Sequence, residues 1–209
     1  SHTMLSPNLL GEVCFSDHKP QFDTYTQCPS GQTPQYGAGA ASNCPVGSDR
    51  CDHGTHVASI ALGNDGTNFG VARAAKFLPI DVFSEVRSAE DCSPDPAPCE
   101  LTDSATVLRA LDYINQVAQE YKIVAVNLSV SGASSEGFCD NDPRREVIQM
   151  LRAKGVATVV ASGNESLTGK VNAPSCVASA VAVGATNDAL AVAPTSNISS
   201  ATDLLAPGV

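Results

Sequence analysis

Residues 53–63 read His53-Gly54-Thr55-His56-Val57-Ala58-Ser59-Ile60-Ala61-Leu62-Gly63, and the rest of the chain is interpreted outward from this stretch. Asp52 precedes it as a possible helix cap, and Gly63 closes the run of small and apolar side chains. Small apolar residues on every side predict a helix that is buried all round. An imidazole at the N-terminal end of such a helix indicates a side chain with a chemical role, so we expect His53 to be a general base. His56, three residues on, is predicted to lie inside the helix in a structural role.

The composition excludes several classes of partner. The chain has 209 residues, which suit one domain, and 43% of them are hydrophobic, enough for a sizeable core. The net charge of −10 argues against nucleic acid, because phosphates require patches of Lys and Arg. No apolar run reaches the roughly 20 residues that cross a bilayer, so we expect no membrane partner. We expect a monomer. No signal peptide is visible, which suggests that the natural N-terminus lies upstream.

Eight cysteines in a chain of this size favour disulfide bonds and an oxidising, secreted or extracellular location. Free structural thiols are the alternative. There is no C-x-x-C pair, which disfavours a zinc ribbon, and a zinc site at Cys51, His53 and His56 would lack a fourth ligand. Closeness along the chain predicts the first three disulfides, and the last takes the remaining cysteines: Cys14–Cys28, Cys44–Cys51, Cys92–Cys99 and Cys139–Cys176.

Apolar runs alternate with amphipathic segments along the chain. We predict strands at residues 12–16, 75–83, 123–130, 156–161, 177–185 and 203–206, and loops at 17–51 and 84–98. Helices are predicted from Asp103 or Ser104 to about Lys122, and over residues 143–154 with Gly155 as the stop. This order predicts an α/β fold: a doubly wound, mostly parallel sheet with helices on both faces.

Ligands of such sheets bind beyond the carboxyl ends of the strands. Two predicted strand ends carry small and polar residues there. They are Ser129-Val130-Ser131-Gly132 and Ala161-Ser162-Gly163-Asn164.

Five segments together resemble the subtilisin-like serine peptidases, or subtilases, in the order that the family has them. They are residues 53–58 (HGTHVA), 126–129 (VNLS), 161–164 (ASGN), 182–185 (AVGA) and 204–208 (LLAPG). The resemblance covers most of the chain. Two positions depart from it, because the family usually has glycine where Ser59 and Ser131 stand.

The resemblance implies a serine endopeptidase that binds an extended polypeptide. His53 would be the catalytic histidine, and Asn164 would donate a hydrogen bond to the oxyanion. Ser129, Val130, Ser131 and Gly132 would pair with the substrate backbone, while Ala161, Ser162 and Gly163 would form the facing wall of a specificity pocket. No cofactor is expected for the chemistry. The family often binds structural calcium, but the short turn at residues 64–69, with Asp65 as its acid, does not support a site.

Two motifs of the family are absent from these residues: the Gly-Thr-Ser that carries the nucleophile and the Asp-(Ser/Thr)-Gly that carries the orienting carboxylate. We expect both to lie just outside the chain, before Ser1 and after Val209, so that residues 1–209 are a partial peptidase domain, incomplete at both ends and inactive alone. Asp17, Asp23 and Asp52 do not end apolar strands and are not expected to replace the missing acid. The alternative is a catalytically inactive, disulfide-stapled module that binds peptides or serves as structure.

Three Asn-x-Ser sequons begin at Asn127, Asn164 and Asn197. The first two fall in the predicted strand and site, and we interpret them as coincidental.

Overall fold

The computed structural model describes residues 3–42 and 52–208, so the predicted Cys44–Cys51 bond lies outside the described residues. The chain divides into two compact units, Ser1–Ala110 and Leu111–Val209. Within the described ranges, no helix is both long enough and apolar enough to cross a bilayer.

The first unit combines short strands with helices. In chain order its elements are β1 (Val13–Cys14), β2 (Thr24–Thr26), β3 (Gln35–Tyr36), α1 (His53–Leu62), β4 (Ile80–Asp81), β5 (Ser84–Val86), α2 (Ala89–Cys92), β6 (Cys99–Leu101) and the start of α3 (Ser104–Val117). As far as the structure describes this unit, the strands form two three-stranded sheets, β3-β1-β4 and β2-β5-β6. β1 and β4 are parallel, with Val13 opposite Ile80, and the other pairs are antiparallel.

Two strands predicted in this unit are shorter in the structure than in the prediction. The strand predicted at 75–83 is limited to Ile80–Asp81, preceded by an isolated parallel bridge between Leu9 and Phe77. Pro79 has no N–H to offer a ladder, which explains the interruption. The strand predicted at 12–16 is likewise reduced to Val13–Cys14.

The segments 17–51 and 84–98 were predicted to be loops, yet they supply β2, β3, β5 and α2. Their strands have only two or three residues, too few to show a period of two. Val86, Cys92 and Cys99 form a small buried cluster that supports the β2-β5-β6 sheet. Sequence patterns miss such a sheet because its core is made partly by cysteines.

Helix α1 forms where it was predicted, but it is not buried all round. None of its residues is buried, and both His53 and His56 are exposed, which corrects the inward position predicted for His56. Residues 57–59 and 62 are half-buried, and Gly63, which follows the helix, is buried. There Gly70 approaches so closely that a Cβ would lie 2.6 Å from the Leu62 nitrogen. Small side chains permit close packing, but burial also requires neighbouring elements on every face.

The second unit contains the predicted parallel sheet. Its elements are β7 (Ala125–Leu128), β8 (Ser134–Glu136), α4 (Arg145–Ala153), β9 (Ala157–Ala161), β10 (Lys170–Asn172), β11 (Val181–Thr186) and β12 (Leu204–Pro207). The strand order is β12-β11-β9-β7 within the described residues, and every pair is parallel. This agrees with the α/β class predicted from the apolar runs, although β7, β9 and β11 are shorter than predicted and β12 is shifted by one residue. β8 and β10 form a separate antiparallel pair.

The helices of the chain end differently from their predicted limits. Asp103 caps α3 by accepting a hydrogen bond from the Thr106 N–H at 2.7 Å, as expected. The helix stops at Val117 rather than near Lys122. A turn follows it and ends at Lys122 in a left-handed conformation with φ of 53°, where the Ile123 N–H donates to the Ala118 carbonyl at 2.8 Å. α4 is followed by Gly155, whose φ of 78° fits the predicted helix stop.

Three disulfide bonds join cysteines in the described part of the chain. They are Cys14–Cys28, Cys92–Cys99 and Cys139–Cys176, the same pairs that were expected from the sequence.

Candidate active site

His53 is the first residue of α1, at the N-terminal end of the helix. The carbonyl oxygen of Asp52 accepts a hydrogen bond from the His56 N–H at 2.8 Å and closes the first turn. The Asp52 side chain makes no capping hydrogen bond, so its capping role comes from the backbone alone. The exposed position of His53 leaves the imidazole accessible to a reacting group, as general-base chemistry requires.

The remaining predicted site residues lie in the second unit, at one edge of its sheet. β7 and β9 are parallel neighbours in which Leu128 lies opposite Val160. Both strands therefore end at the same edge, and the segments that follow them, 129–132 and 161–164, leave the sheet side by side. The structure thus brings together Ser129, Val130, Ser131, Gly132, Ala161, Ser162, Gly163 and Asn164.

β7 is the last strand at one side of this four-stranded sheet, as far as the unit is described. Its Asn127 side chain donates a hydrogen bond to the Ser129 hydroxyl at 3.0 Å. Ser131 and Gly132 are exposed beyond the strand. An edge strand with an extended continuation is the kind of surface to which a peptide adds as a further strand.

A third segment joins these two strand ends. The Gly132 N–H donates to the Ala173 carbonyl at 2.8 Å, and the Ala173 N–H donates to the Ala133 carbonyl at 2.9 Å. The neighbouring Asn172 N–H donates to the Ser162 carbonyl at 2.8 Å. Residues 172–173 therefore hold the ends of β7 and β9 at a fixed spacing. The sequence analysis did not identify this segment.

Gly163 forms the turn after β9 and has a φ of 113°, where side-chain-bearing residues are rarely found. A Cβ at this position would lie 2.2 Å from Asn197 Nδ2 and 2.8 Å from both Asn172 Nδ2 and Glu165 Oε2. The glycine is thus required both by its backbone conformation and by the polar groups around it. Asn164 follows directly and is exposed.

Asn197 is the centre of those polar groups and is fully buried, at 0% exposure. Its Oδ1 accepts hydrogen bonds from the backbone N–H groups of Glu165 at 3.0 Å and Leu167 at 2.9 Å. Its Nδ2 lies 2.6 Å from Glu165 Oε2 and 3.2 Å from Asn172 Oδ1. Sequence reasoning missed Asn197, Glu165 and Asn172, because the partners are distant along the chain. In the sequence, Asn197 is marked only as the first residue of a sequon.

Ser162 is buried, at 2% exposure, and its hydroxyl donates to the Asn197 carbonyl at 2.8 Å. Its side chain is therefore committed to the interior of the unit. The predicted pocket wall at Ala161, Ser162 and Gly163 would be formed by backbone and by Ala161, which is half-buried.

Two acidic residues considered in the sequence have carboxylates that are engaged locally. Asp17 pairs with Arg109 and with Lys19, whose Nζ lies 2.5 Å from Asp17 Oδ2. Asp65 accepts hydrogen bonds from the N–H groups of Asn68 and Thr67, which lower its pKa to about 2. The Asp65 carboxylate thus stabilises its own turn.

Comparison with known proteins places this geometry in a family. The model of the subtilase family of peptidases matches residues 1–209. Subtilisin-like protease 3 of Pseudogymnoascus destructans is 34% identical over 161 residues, which are 77% of this chain and 35% of that protein. The extracellular serine proteinase of a Thermus species is 32% identical over 178 residues, or 84% of this chain and 38% of that protein.

Solved structures agree on the fold. A cold-adapted subtilisin-like serine proteinase matches with a TM-score of 0.61 at 22% identity and covers 100% of this chain and 58% of its own. The prenylagaramide maturation protease PagA matches with a TM-score of 0.59 at 25% identity, over 75% of this chain and 51% of its own. The chain spans between 35% and 47% of the length of the first four curated relatives. Because the family model matches its whole length, the chain belongs to the subtilase family.

Proposed function

We propose that the complete protein is a secreted serine endopeptidase, in which His53 is the general base and Asn164 donates to the oxyanion. The observation that carries the proposal is the turn after β9. There Gly163 and a buried polar network present Asn164 at the carboxyl edge of a parallel sheet, where α/β folds bind ligands. Family membership supports the same chemistry.

In this mechanism the imidazole of His53 takes the proton from a serine hydroxyl as its oxygen attacks the carbonyl carbon of the scissile peptide bond. The carbonyl oxygen gains negative charge, and the Asn164 amide donates a hydrogen bond to it. The C–N bond then breaks, and His53 returns the proton to the leaving amine. Water, deprotonated by the same imidazole, attacks the acyl-enzyme and releases the acid and the serine.

The serine and the orienting aspartate are proposed to come from parts of the protein outside these 209 residues. Support comes from the relatives, since this chain spans less than half the length of the first four. The 209-residue chain alone should be inactive, because it lacks the Gly-Thr-Ser motif that carries the nucleophilic serine.

The proposed substrate is an extended polypeptide. Residues Ser129, Val130 and Ser131 continue the edge strand β7 and would hydrogen-bond to the substrate backbone. Ala161, Ser162 and Gly163 end the neighbouring strand and would bound the side chain before the scissile bond. An oxidising compartment is proposed, supported by the disulfides of the described residues, and the protein is proposed to act as a monomer.

Labelling of the complete protein with a fluorophosphonate tests the proposal. The wild type should be labelled at one serine, the His53→Ala variant should not be labelled, and the 209-residue chain should not be labelled. His18→Ala is the matched control, because His18 is an exposed histidine of the same unit, and it should leave labelling intact. Labelling of His53→Ala at the wild-type rate would overturn the assignment. Absence of labelling in the wild type would favour the inactive, disulfide-stapled module.

A further inference from the structure

We propose that Asn197 is a positioning residue for catalysis: through Glu165, it holds the Gly163–Asn164 turn in the place from which Asn164 reaches the oxyanion. The inference deepens the proposed function and rests on it. All the residues involved belong to the second unit, and none of them is part of the histidine-bearing helix.

The first support is that Asn197 uses its whole side-chain amide inside the unit. An asparagine amide offers two N–H groups and an oxygen with two lone pairs. Here Oδ1 accepts from two backbone N–H groups, and Nδ2 lies within hydrogen-bond distance of Glu165 Oε2, Asn172 Oδ1 and the Ser162 carbonyl. A fully buried amide with these partners has little freedom to move, because each lost partner would leave a buried polar group unpaired.

The second support is the route from Asn197 to Asn164. Glu165 Oε2 accepts hydrogen bonds from Asn197 Nδ2 at 2.6 Å, from Asn172 Nδ2 at 2.9 Å and from the backbone N–H of Asn164 at 3.0 Å. One carboxylate oxygen therefore links the buried amide directly to the backbone of the proposed oxyanion residue. Charge-assisted hydrogen bonds of this kind are stronger than those between neutral groups.

The third support is that backbone contacts hold the same turn from the other side. The Asn197 N–H donates to the Gly163 carbonyl at 2.9 Å, and the Ile198 N–H donates to the Leu167 carbonyl at 2.9 Å. The segment around Asn197 thus contacts the turn before and after Asn164. Asn164 itself is exposed to solvent.

These contacts predict how the loss of Asn197 would affect the rate of the reaction. An oxyanion donor acts only within hydrogen-bond distance of the developing charge, and a displacement of about 1 Å can cost about 100-fold in rate. Removing the Asn197 amide leaves the Glu165 and Leu167 N–H groups without their acceptor, so the turn should shift. The rate constant of the chemical step should fall, while the binding of substrate should change little.

A double-mutant cycle in the complete protein tests the proposal. Asn164→Ala should lower kcat about 100- to 1000-fold. Asn197→Ala should lower kcat about 10- to 100-fold with KM within about threefold of the wild type. The double variant should be no more than about threefold slower than Asn164→Ala, because Asn197 acts through Asn164.

Glu165→Ala provides a second, independent test in case Asn197→Ala does not fold. Glu165 is exposed, so its truncation should be tolerated better than that of a buried residue. It should lower kcat about tenfold and should likewise add nothing to Asn164→Ala. Glu165→Gln keeps an oxygen that can accept from the Asn164 N–H and should stay within about threefold of the wild type. Glu120→Ala, which removes an exposed carboxylate elsewhere in the unit, is the matched control and should not change kcat.

The outcomes separate the two proposals. If Asn164→Ala lowers kcat but Asn197→Ala and Glu165→Ala do not, the positioning role is wrong and the proposed function stands. The same holds if their effects multiply with that of Asn164→Ala. If Asn164→Ala leaves kcat unchanged, the oxyanion assignment fails and takes the positioning role with it. Loss of hydrogen-exchange protection at the Glu165 and Leu167 amides in Asn197→Ala should accompany the fall in kcat.

Discussion

Replacing Gly163 by alanine should destabilise the turn after β9 by about 4–5 kcal/mol. The backbone φ of 113° is one that an alanine rarely adopts, and holding it there costs about 1–3 kcal/mol. The new Cβ would also lie 2.2 Å from Asn197 Nδ2, so the buried amide must withdraw by roughly 1 Å to restore normal contact. That movement weakens two or three hydrogen bonds, each with a net value of about 1 kcal/mol.

Native-state hydrogen exchange measures this cost at the right place. The amides of Glu165 and Leu167 donate to Asn197 Oδ1, so their opening free energies report the network directly. Gly169→Ala is the matched control, because Gly169 also has a positive φ, of 84°, but a Cβ there would meet nothing within 4 Å. This control should cost only about 1–2 kcal/mol for its backbone conformation.

The difference between the two variants isolates the crowding around Gly163. We expect it to be about 3 kcal/mol. Equal losses of protection in the two variants would refute the reasoning, because they would show that the polar groups around Gly163 yield without cost.

Three further predictions concern stability. Burial raises the pKa of Asp81 to about 6, above its unfolded value, so its charge costs stability at pH 8 but not at pH 3.5. Asp81→Asn should therefore raise the free energy of unfolding by about 2 kcal/mol at pH 8 and leave it nearly unchanged at pH 3.5. Urea titrations at both pH values check this, and equal effects of the substitution at the two pH values would contradict it. Serine in place of both Cys139 and Cys176, which are 37 residues apart, should cost about 4 kcal/mol in the same titration, and a loss below 1 kcal/mol would show that the loop is ordered without the bond. Arg144→Ala should cost about 3 kcal/mol at pH 7, because it leaves the buried carboxylate of Asp142 unpaired. Burial raises the pKa of Asp142, but the hydrogen bonds and charge of Arg144 outweigh it and hold that pKa below its ordinary value. The cost of Arg144→Ala should therefore shrink as the pH falls and Asp142 becomes protonated, and a pH-independent loss would argue against the ion pair.

The parallel sheet was predictable from the sequence because its strands are continuous apolar runs. Val126, Val160 and Ala182 are buried in β7, β9 and β11, whereas β12 is exposed along its length in this unit. The limits of the elements were less predictable. α3 ends at Val117, and the turn after it ends at Lys122 in a left-handed conformation that a lysine does not announce in the sequence.

Burial was the least predictable property. The side chains of α1 are those of a helix packed on every face, yet Ile60 is 58% exposed, because the described unit covers that helix only in part. The β2-β5-β6 sheet was missed for the opposite reason. Its residues look like a polar loop, and its small core depends on pairings that no local pattern encodes.

The segments of the candidate site that are contiguous along the chain were predicted, and the network of distant residues behind them was missed. Gly163 and Asn164 stand out because they directly follow an apolar run, and a parallel sheet presents residues at the carboxyl ends of its strands to ligands. Asn197 did not stand out, since its meaning depends on Glu165 and Ser162, which are 32 and 35 residues away. Contacts between loops depend on the tertiary fold and leave little trace in a single sequence.

The burial of Asn197 has a consequence for how the protein can be produced. Asn197 begins an Asn-Ile-Ser sequon, and a eukaryotic secretory pathway attaches glycans to such an asparagine through the same Nδ2 atom that lies 2.6 Å from Glu165. A chain that acquired a sugar there before folding would have no space for it, since Asn197 is 0% exposed in the folded unit. Glycosylated chains would therefore be retained as misfolded material, and the secreted yield would depend on how fast the loop between β11 and β12 folds relative to glycan transfer.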